Sequence, residues 1–192
     1  MSLGEKQQRR IWIAVHRTAG GAIVCLLLAS QALVAQKNQR QTLTPAQVEE
    51  IREAGIDPDG RIGLYVKYLN EHVDTIRDLS KAGLSSSRVR KIDDELQSVA
   101  ALTDELGSNL DQYSSRKADI RKALKKVNED LLKWQAAVKA LPANSVFEVS
   151  RADALESCQD LTKDAAEMLA EQTEYFKEHK DQRGQERAEP QQ

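Results

Sequence analysis

The strongest constraint on this chain is a regular series of apolar residues between Arg88 and Leu141, here called the heptad seam. Their spacing alternates between three and four, as in helices that pack along a shared stripe. Only Thr103 and Lys117 interrupt the series. The pattern therefore predicts an all-α protein in which this stripe is buried. The apolar members of the seam are Val89, Ile92, Leu96, Val99, Leu106, Leu110, Tyr113, Ile120, Leu124, Val127, Leu131, Trp134, Val138 and Leu141.

The composition agrees with a slim helical bundle. Charged residues make up 30% of the 192 residues and aromatic residues only 4%, so there are few large side chains for a thick core. No segment alternates between apolar and polar residues over six positions, which argues against a sheet. The formal charge of −2 gives no general reason to expect nucleic-acid binding.

The heptad seam could form one helix or two. Its phase is continuous over 54 residues, about 80 Å if helical throughout. Gly107, followed by Ser108, resembles a helix end and a new cap, and Ser114-Ser115 is a second weak point. However, one glycine inside a helix costs only about 1 kcal/mol. We predict one long or gently kinked helix, with a hairpin in a compact four-helix bundle as the alternative.

Shorter helices are predicted on both sides of the seam. Thr44 is a suitable N-cap before Pro45, and Gly55 would end this first short helix. Residues 57–60 have the composition of a turn. Amphipathic patterns then predict a helix from about Arg61 to Lys81, stopped at Gly83, with serines 85–87 offering N-caps for the seam. A last helix, capped by Ser150, is predicted over residues 151–179. These helices should fold back antiparallel on the central segment.

Residues 1–35 have the layout of an export signal. Basic residues precede a short apolar core at residues 22–29, and small residues at Ala32 and Ala35 offer cleavage sites. An uncleaved membrane anchor is the alternative, although residues 19–35 fall short of the roughly 20 apolar residues that a span needs. We predict a cleaved signal peptide and an exported protein, periplasmic or secreted. Membrane proximity through residues 11–35 is expected only if the segment is uncleaved.

The remaining domain boundaries follow from composition. Residues 36–44 are polar and without pattern, which predicts a linker. The helical domain should cover residues 45–180. Residues 181–192 contain nothing to bury and are predicted to be a disordered tail.

Few residues are candidates for chemistry. His72 and His179 lack a His or carboxylate at the helical spacing of a metal pair, so the sequence predicts no metal site. No nucleophile elbow, phosphate loop or Cys–His pairing is present, so we predict no catalytic residues, no cofactor site and no enzyme. Cys158 lies on the apolar side of its helix and is expected to be buried and inert, with cross-linking of two copies as the alternative.

Two charged groups stand out. Acidic residues recur every three or four positions along the last predicted helix, and we expect them to face solvent. A basic cluster lies within residues 116–126; Lys117 and Arg121 are expected to pair with carboxylates of a neighbouring helix, whereas Lys122, Lys125 and Lys126 should point outward. The acidic residues, here called the acidic face, are Asp153, Glu156, Asp160, Asp164, Glu167, Glu171, Glu174 and Glu178.

Two stretches resemble parts of uncharacterised exported bacterial helical proteins of unknown function. They are residues 43–76 and residues 111–124, with Trp134 following. The resemblance implies an all-helical exported protein and carries no implied activity.

The sequence therefore predicts a non-enzymatic helical protein of the cell envelope, acting as a structural or protein-interaction module. Its partner would be another protein or a second copy of the chain, and not nucleic acid. A ligand- or ion-binding helical bundle is the alternative.

Overall fold

The structure, a computed structural model, describes residues 42–55 and 57–184, and within these residues there is no strand. The predicted all-α fold is confirmed. The predictions for residues 1–41 and 185–192 lie outside the described residues. The helices are α1 (Pro45–Glu53), α2 (Pro58–Lys81), α3 (Ser86–Ser115), α4 (Arg121–Lys139) and α5 (Glu148–Glu178), followed by a 3-10 turn at Lys180–Gln182.

Helices α2 to α5 form a four-helix bundle. Each of the sequence-adjacent pairs α2–α3 and α4–α5 is an antiparallel hairpin, because polar contacts between the paired helices run in opposite chain directions. Tyr65 contacts Glu105 while His72 contacts Glu95. The antiparallel return of the flanking helices was therefore predicted correctly.

The two hairpins join through parallel pairs. α3 lies beside α5, and α2 lies beside α4. In the α3–α5 pair, Asp93 contacts Ser150 and Thr103 lies 4.0 Å from Cys158 Sγ. Helices α3 and α4, although consecutive, therefore occupy diagonal positions in the bundle.

The heptad seam forms the centre of the core. Every apolar member is buried, and most have no exposed surface at all. Thr103, one of the two interruptions, is also fully buried. The seam therefore supplies α3 and α4 with the stripes that face the other helices, and its burial is the dominant stabilising term.

The preference for one long helix over residues 88–141 is wrong, because α3 ends at Ser115 and α4 begins at Arg121. Lys117, the second interruption of the seam, has φ = 57° and occupies the left-handed position after the helix. Lys117 N–H donates to Ser114 O at 3.0 Å, and Ala118 N–H donates to Tyr113 O at 3.0 Å. This pair of bonds is a Schellman motif, which glycine usually forms.

A buried glutamine holds the turn from the opposite helix. Gln172 of α5 is 5% exposed. Its Oε1 accepts from Ile120 N–H at 3.1 Å, and its Nε2 donates to Ala118 O at 3.0 Å. Buried backbone groups need such partners. The turn therefore depends on α5 as well as on its own residues.

Of the two predicted weak points, Ser114-Ser115 is where α3 ends, whereas Gly107 lies inside α3. A Cβ built at Gly107 would meet Leu161 Cδ1 of α5 at 3.4 Å, an ordinary van der Waals contact, so the packing does not require glycine here. The helix tolerates this residue because a single glycine costs only about 1 kcal/mol.

Several predicted boundaries shift. The turn expected at residues 57–60 instead contains the first turn of α2, because Pro58 is well suited to a helix start. Ser150 is not a cap; it lies inside α5, and its hydroxyl donates to Asp93 Oδ1 at 2.6 Å. By contrast, Thr44 caps α1 and Ser85 caps α3, as predicted.

The predicted linker and tail also need correction at their inner ends. Leu43 is only 7% exposed and belongs to the core. At the other end, Arg183 Nε donates to Phe176 O at 2.8 Å, and Gly184 N–H donates to Asp119 Oδ2 at 3.2 Å. Residues 181–184 thus pack back onto the bundle.

Candidate interaction surfaces

One end of the bundle, here called the basic end, consists of residues 77–91 and 136–151. It contains both the α2–α3 loop and the α4–α5 loop. This end has seven basic residues and two acidic ones. The rest of the described chain has fourteen basic and 25 acidic residues. This end is therefore net basic and the rest of the described chain is net acidic, although the rest includes the basic cluster of residues 116–126 at the opposite end of the bundle. The seven basic residues are Arg77, Lys81, Arg88, Arg90, Lys91, Lys139 and Arg151.

Some of these basic side chains stabilise the loops. Arg88 Nη1 donates to the carbonyls of Ala82 and Gly83 at 3.0 and 2.7 Å. Arg151 Nη1 donates to Leu141 O at 3.1 Å. These bonds satisfy carbonyls after the ends of α2 and α4, where helices leave acceptors unpaired.

Other basic side chains of this end face solvent. Arg90 and Lys91, in the second turn of α3, and Lys139, at the end of α4, are all exposed. Lys139 Nζ makes only a long contact, 3.4 Å, with Gln135 Oε1. These three charges are therefore available to a partner.

Aliphatic side chains are exposed at the same end. Leu84 is 41% exposed, Val146 is 55% exposed and Val149 is 72% exposed. Leu84 lies in the α2–α3 loop, and the two valines flank the buried Phe147 at the start of α5. Exposed aliphatic residues next to basic ones are typical of interaction surfaces.

A shallow groove also opens at the basic end, between the last turns of α2 and α4. Its volume is about 350 Å³. Apolar side chains from the ends of both helices line it, together with Arg77 and Lys81. Arg77 pairs with Asp74 at 2.8 Å, and Lys81 pairs with Asp78 at 3.2 Å. The groove is thus mainly apolar, with two paired basic side chains in its lining. The apolar lining residues are Ile76, Ala136, Ala137, Ala140 and Leu141.

The acidic face lies on the solvent side of α5, as predicted, since all eight of its residues are exposed. It runs along the length of the helix, whereas Cys158, Leu161, Ala165 and Phe176 form the buried side. The acidic face is therefore a line of exposed carboxylates along α5.

The basic cluster of residues 116–126 is only partly as predicted. Arg121 does not pair with a neighbouring helix; it makes two 2.7 Å bonds to Asp119, two residues earlier, and lies over the Phe176 ring. Lys117 is exposed, with its Nζ 5.3 Å from the centre of the Tyr175 ring. Lys122, Lys125 and Lys126 are exposed, as expected. Arg121 holds the pKa of the Asp119 carboxyl below its usual value.

The two histidines have structural contacts. His72 Nδ1 lies 2.6 Å from Glu95 Oε2, which links α2 to α3. His179 stacks on the Tyr175 ring at 4.2 Å, at the end of α5. The described residues contain no group of three His, Cys, Asp or Glu side chains that could hold a metal ion.

Cys158 is fully buried between α5 and α3, as predicted. Burial raises the pKa of its thiol to about 11. Because the thiolate is the reactive form, this environment suppresses its nucleophilicity.

Buried polar contacts that the sequence did not reveal link the helices. Tyr65 OH donates to Glu105 Oε1 at 2.6 Å, and Trp134 Nε1 donates to Asn70 Oδ1 at 2.8 Å. Burial and then the bond to Glu105 raise the pKa of Tyr65 to about 12. These side chains join α2 to α3 and α4, so their chemistry serves the packing of the bundle.

Compared with family models, with curated proteins and with solved structures, the chain gives no significant match. The resemblance to exported bacterial helical proteins therefore stays a prediction. None of the helices in the described part of the chain is long and apolar enough to cross a bilayer.

Proposed function

We propose that this chain is an exported, non-enzymatic helical protein that serves as a structural or protein-interaction module of the cell envelope. The observation that carries this proposal is the separation of charge between the basic end and the acidic remainder of the bundle. Separated charges steer and orient a partner of complementary charge. Export is inferred from the layout of residues 1–35.

The interior of the bundle supports this proposal. Several polar side chains between the helices have partners inside the bundle, as in the contacts of Tyr65 with Glu105 and of Gln172 with the backbone of the α3–α4 turn. They stabilise one arrangement of the helices. The groups that remain available to a partner lie on the outside, above all on the acidic face and at the basic end.

The alternative is a ligand-binding bundle, and the groove between α2 and α4 favours it. An apolar lining that also contains Arg77 and Lys81 suits a small anionic amphiphile. Binding of such a ligand to the folded state would raise the thermal stability, by an amount that grows with the logarithm of the ligand concentration above its Kd. Titration with a short-chain alkyl phosphate, followed by the unfolding temperature, tests this alternative.

Location in the cell tests the main proposal. The full chain, tagged at its C-terminus, should be found in the exported or envelope fraction of its host. Mass spectrometry of the purified protein then distinguishes cleavage near Ala32 or Ala35 from an uncleaved anchor. Full-length, uncut protein in the soluble cytoplasmic fraction would contradict the proposal.

Cross-linking tests the interaction role. A photo-reactive residue placed at Asp164, within the acidic face, should give a specific product with a protein of the envelope. Reversal of Glu167 and Glu171 to Lys should abolish this product, whereas reversal of Glu49 and Glu53 on α1 should not. Equal products from both reversal variants would argue against recognition by the acidic face.

A further inference from the structure

We infer that the basic end docks on a membrane surface rich in anionic lipid. This inference deepens the proposed function, on which it rests for the placement of the protein in the envelope. It names the partner of one surface, and three separate features of that surface carry it: charge, exposed aliphatic side chains and the groove.

The first feature is charge. The basic end has a formal charge of +5 within a described region whose remaining residues sum to −11. An anionic bilayer attracts each basic residue near its surface by about 1 kcal/mol, that is about a fivefold change in affinity. It repels the acidic face. The opposite end of the bundle also has a basic cluster, residues 116–126, but none of the exposed large hydrophobic side chains lies among those residues. Charge together with the apolar side chains described next therefore favours the basic end.

The second feature is apolar. Leu84, Val146 and Val149 are three of the five exposed large hydrophobic side chains in the described residues, and all three belong to the basic end. They project from both loops of this end. Aliphatic side chains among basic ones insert below the headgroups while the charges contact the phosphates.

The third feature is the groove between α2 and α4. Arg77 and Lys81 line it together with Ile76 and Leu141. The two basic side chains pair with the carboxylates of Asp74 and Asp78. A lipid phosphate would replace these carboxylates, and the first acyl carbons would contact the apolar part of the lining. Charge and apolar surface are thus combined on the scale of a single lipid as well as over the whole end.

Other partners fit this surface less well. A nucleic acid offers phosphates but no apolar layer for Val146 and Val149, and the aromatic residue of this loop, Phe147, is fully buried. The acidic face of a second copy offers carboxylates. Lipid supplies both the charges and the apolar layer.

The test uses the full chain with an environment-sensitive fluorophore on one introduced cysteine. Val149→Cys places the fluorophore at the basic end, and Leu132→Cys, on the exposed side of α4, is the control. Cys25→Ser removes one of the two native thiols, and the other, Cys158, is buried. The protein is mixed with vesicles of equal parts phosphatidylcholine and phosphatidylglycerol, or of phosphatidylcholine alone.

The expected result is a blue shift from position 149, and not from position 132, on the vesicles that contain phosphatidylglycerol. The variant Arg90→Gln/Lys91→Gln/Lys139→Gln should lower the ratio of shifted to unshifted emission by at least about tenfold. The matched control, Lys125→Gln/Lys163→Gln/Lys180→Gln, removes three exposed charges outside the basic end and should leave the ratio unchanged. Because all variants share residues 1–41, any membrane affinity of that segment is common to them.

Three results would overturn the inference. They are an equal shift at positions 132 and 149, an equal shift on phosphatidylcholine alone, and a shift that rises with protein concentration without vesicles, which would indicate self-association. Failure of the proposed function is separate, since it is decided by the cellular location of the chain and not by vesicles.

Discussion

Gln172 lies inside α5 and faces the turn between α3 and α4. It satisfies one N–H and one C=O of that turn, at Ile120 and Ala118. Both neighbouring residues, Ala118 and Ile120, are buried, so water cannot easily replace the side chain. One polar residue thus couples α5 to the point where the chain reverses.

We expect Gln172→Leu to lower the free energy of unfolding by about 2–5 kcal/mol, because two buried backbone groups would lose their partners. Denaturant titration measures the change. Gln159→Leu, at an exposed position of the same helix, is the control and should stay within about 0.5 kcal/mol of the wild type. A similar small change for both variants would show that the turn does not need Gln172.

At the residue scale, the sequence predicted the apolar contacts better than the polar ones. Burial of the heptad seam follows from spacing alone, and every seam residue is buried. The partner of Gln172 could not be predicted, since Gln172 and Ile120 are 52 positions apart and glutamine is usually exposed. The same applies to Trp134 with Asn70. Such pairs depend on the packing of helices, which spacing within one helix does not determine.

At the scale of elements, the turn over residues 116–120 separates two helices that share one heptad phase. Lys117 adopts a positive φ that is unfavourable for any residue with a Cβ, at a cost of about 1–2 kcal/mol. Glycine has no such penalty. Ser114-Ser115, the second predicted weak point, was the sequence signal for this turn, and Gly107 was the misleading one.

We therefore expect Lys117→Gly to raise the free energy of unfolding by about 1 kcal/mol. If residues 88–141 formed one continuous helix, the same change would lower stability by about 1 kcal/mol. The sign of the effect in a denaturant titration thus distinguishes the two structures. Ala101→Gly, exposed inside α3, is the control and should destabilise by about 1 kcal/mol.

Neighbouring leucines in α4 test its orientation. Leu131 is fully buried, whereas Leu132 is 64% exposed. Leu131→Ala should lower the free energy of unfolding by about 2–5 kcal/mol, because it removes buried apolar surface and leaves a cavity. Leu132→Ala should change it by less than about 0.5 kcal/mol. Equal losses in thermal or denaturant unfolding would place the buried stripe of α4 elsewhere.

At the scale of the whole molecule, stability should depend on pH through carboxylates that the fold keeps ionised. Burial by itself would raise the pKa of Asp130, but Lys126 and Lys133, each at 2.8 Å, lower it by more. Arg121 lowers the pKa of Asp119. Between the lowered and the ordinary pKa the unfolded chain binds more protons. Their contribution is therefore complete above about pH 4 and is lost as the pH falls further.

We expect Asp130→Asn to be less stable than the wild type at neutral pH and to lose less stability on acidification. The two unfolding free energies should approach each other as the pH falls below about 4 and should meet below the lowered pKa of Asp130, where the folded wild-type carboxyl is protonated. Denaturant titrations at a series of pH values measure this. Parallel curves would mean that the bonds to Lys126 and Lys133 do not stabilise the fold.

The surfaces were harder to predict than the fold. The acidic face could be found from its spacing along one helix. The basic end could not, since its residues come from two segments that are separated by 44 residues and contain too few charges to stand out individually. Only the pairing of the two hairpins brings Arg90, Lys139 and Val149 to the same end of the bundle.

The diagonal step between α3 and α4 has a consequence for assembly. Tyr113 and Ile120 are one heptad apart, so a straightened connection would keep all seam residues on the same stripe. Two chains with straightened connections could then exchange their α4–α5 hairpins and restore each core contact in a swapped dimer. Whether a chain closes on itself or exchanges its hairpin is thus decided within the five residues 116–120. There, the backbone conformation of Lys117 and the two bonds from Gln172 hold the closed turn.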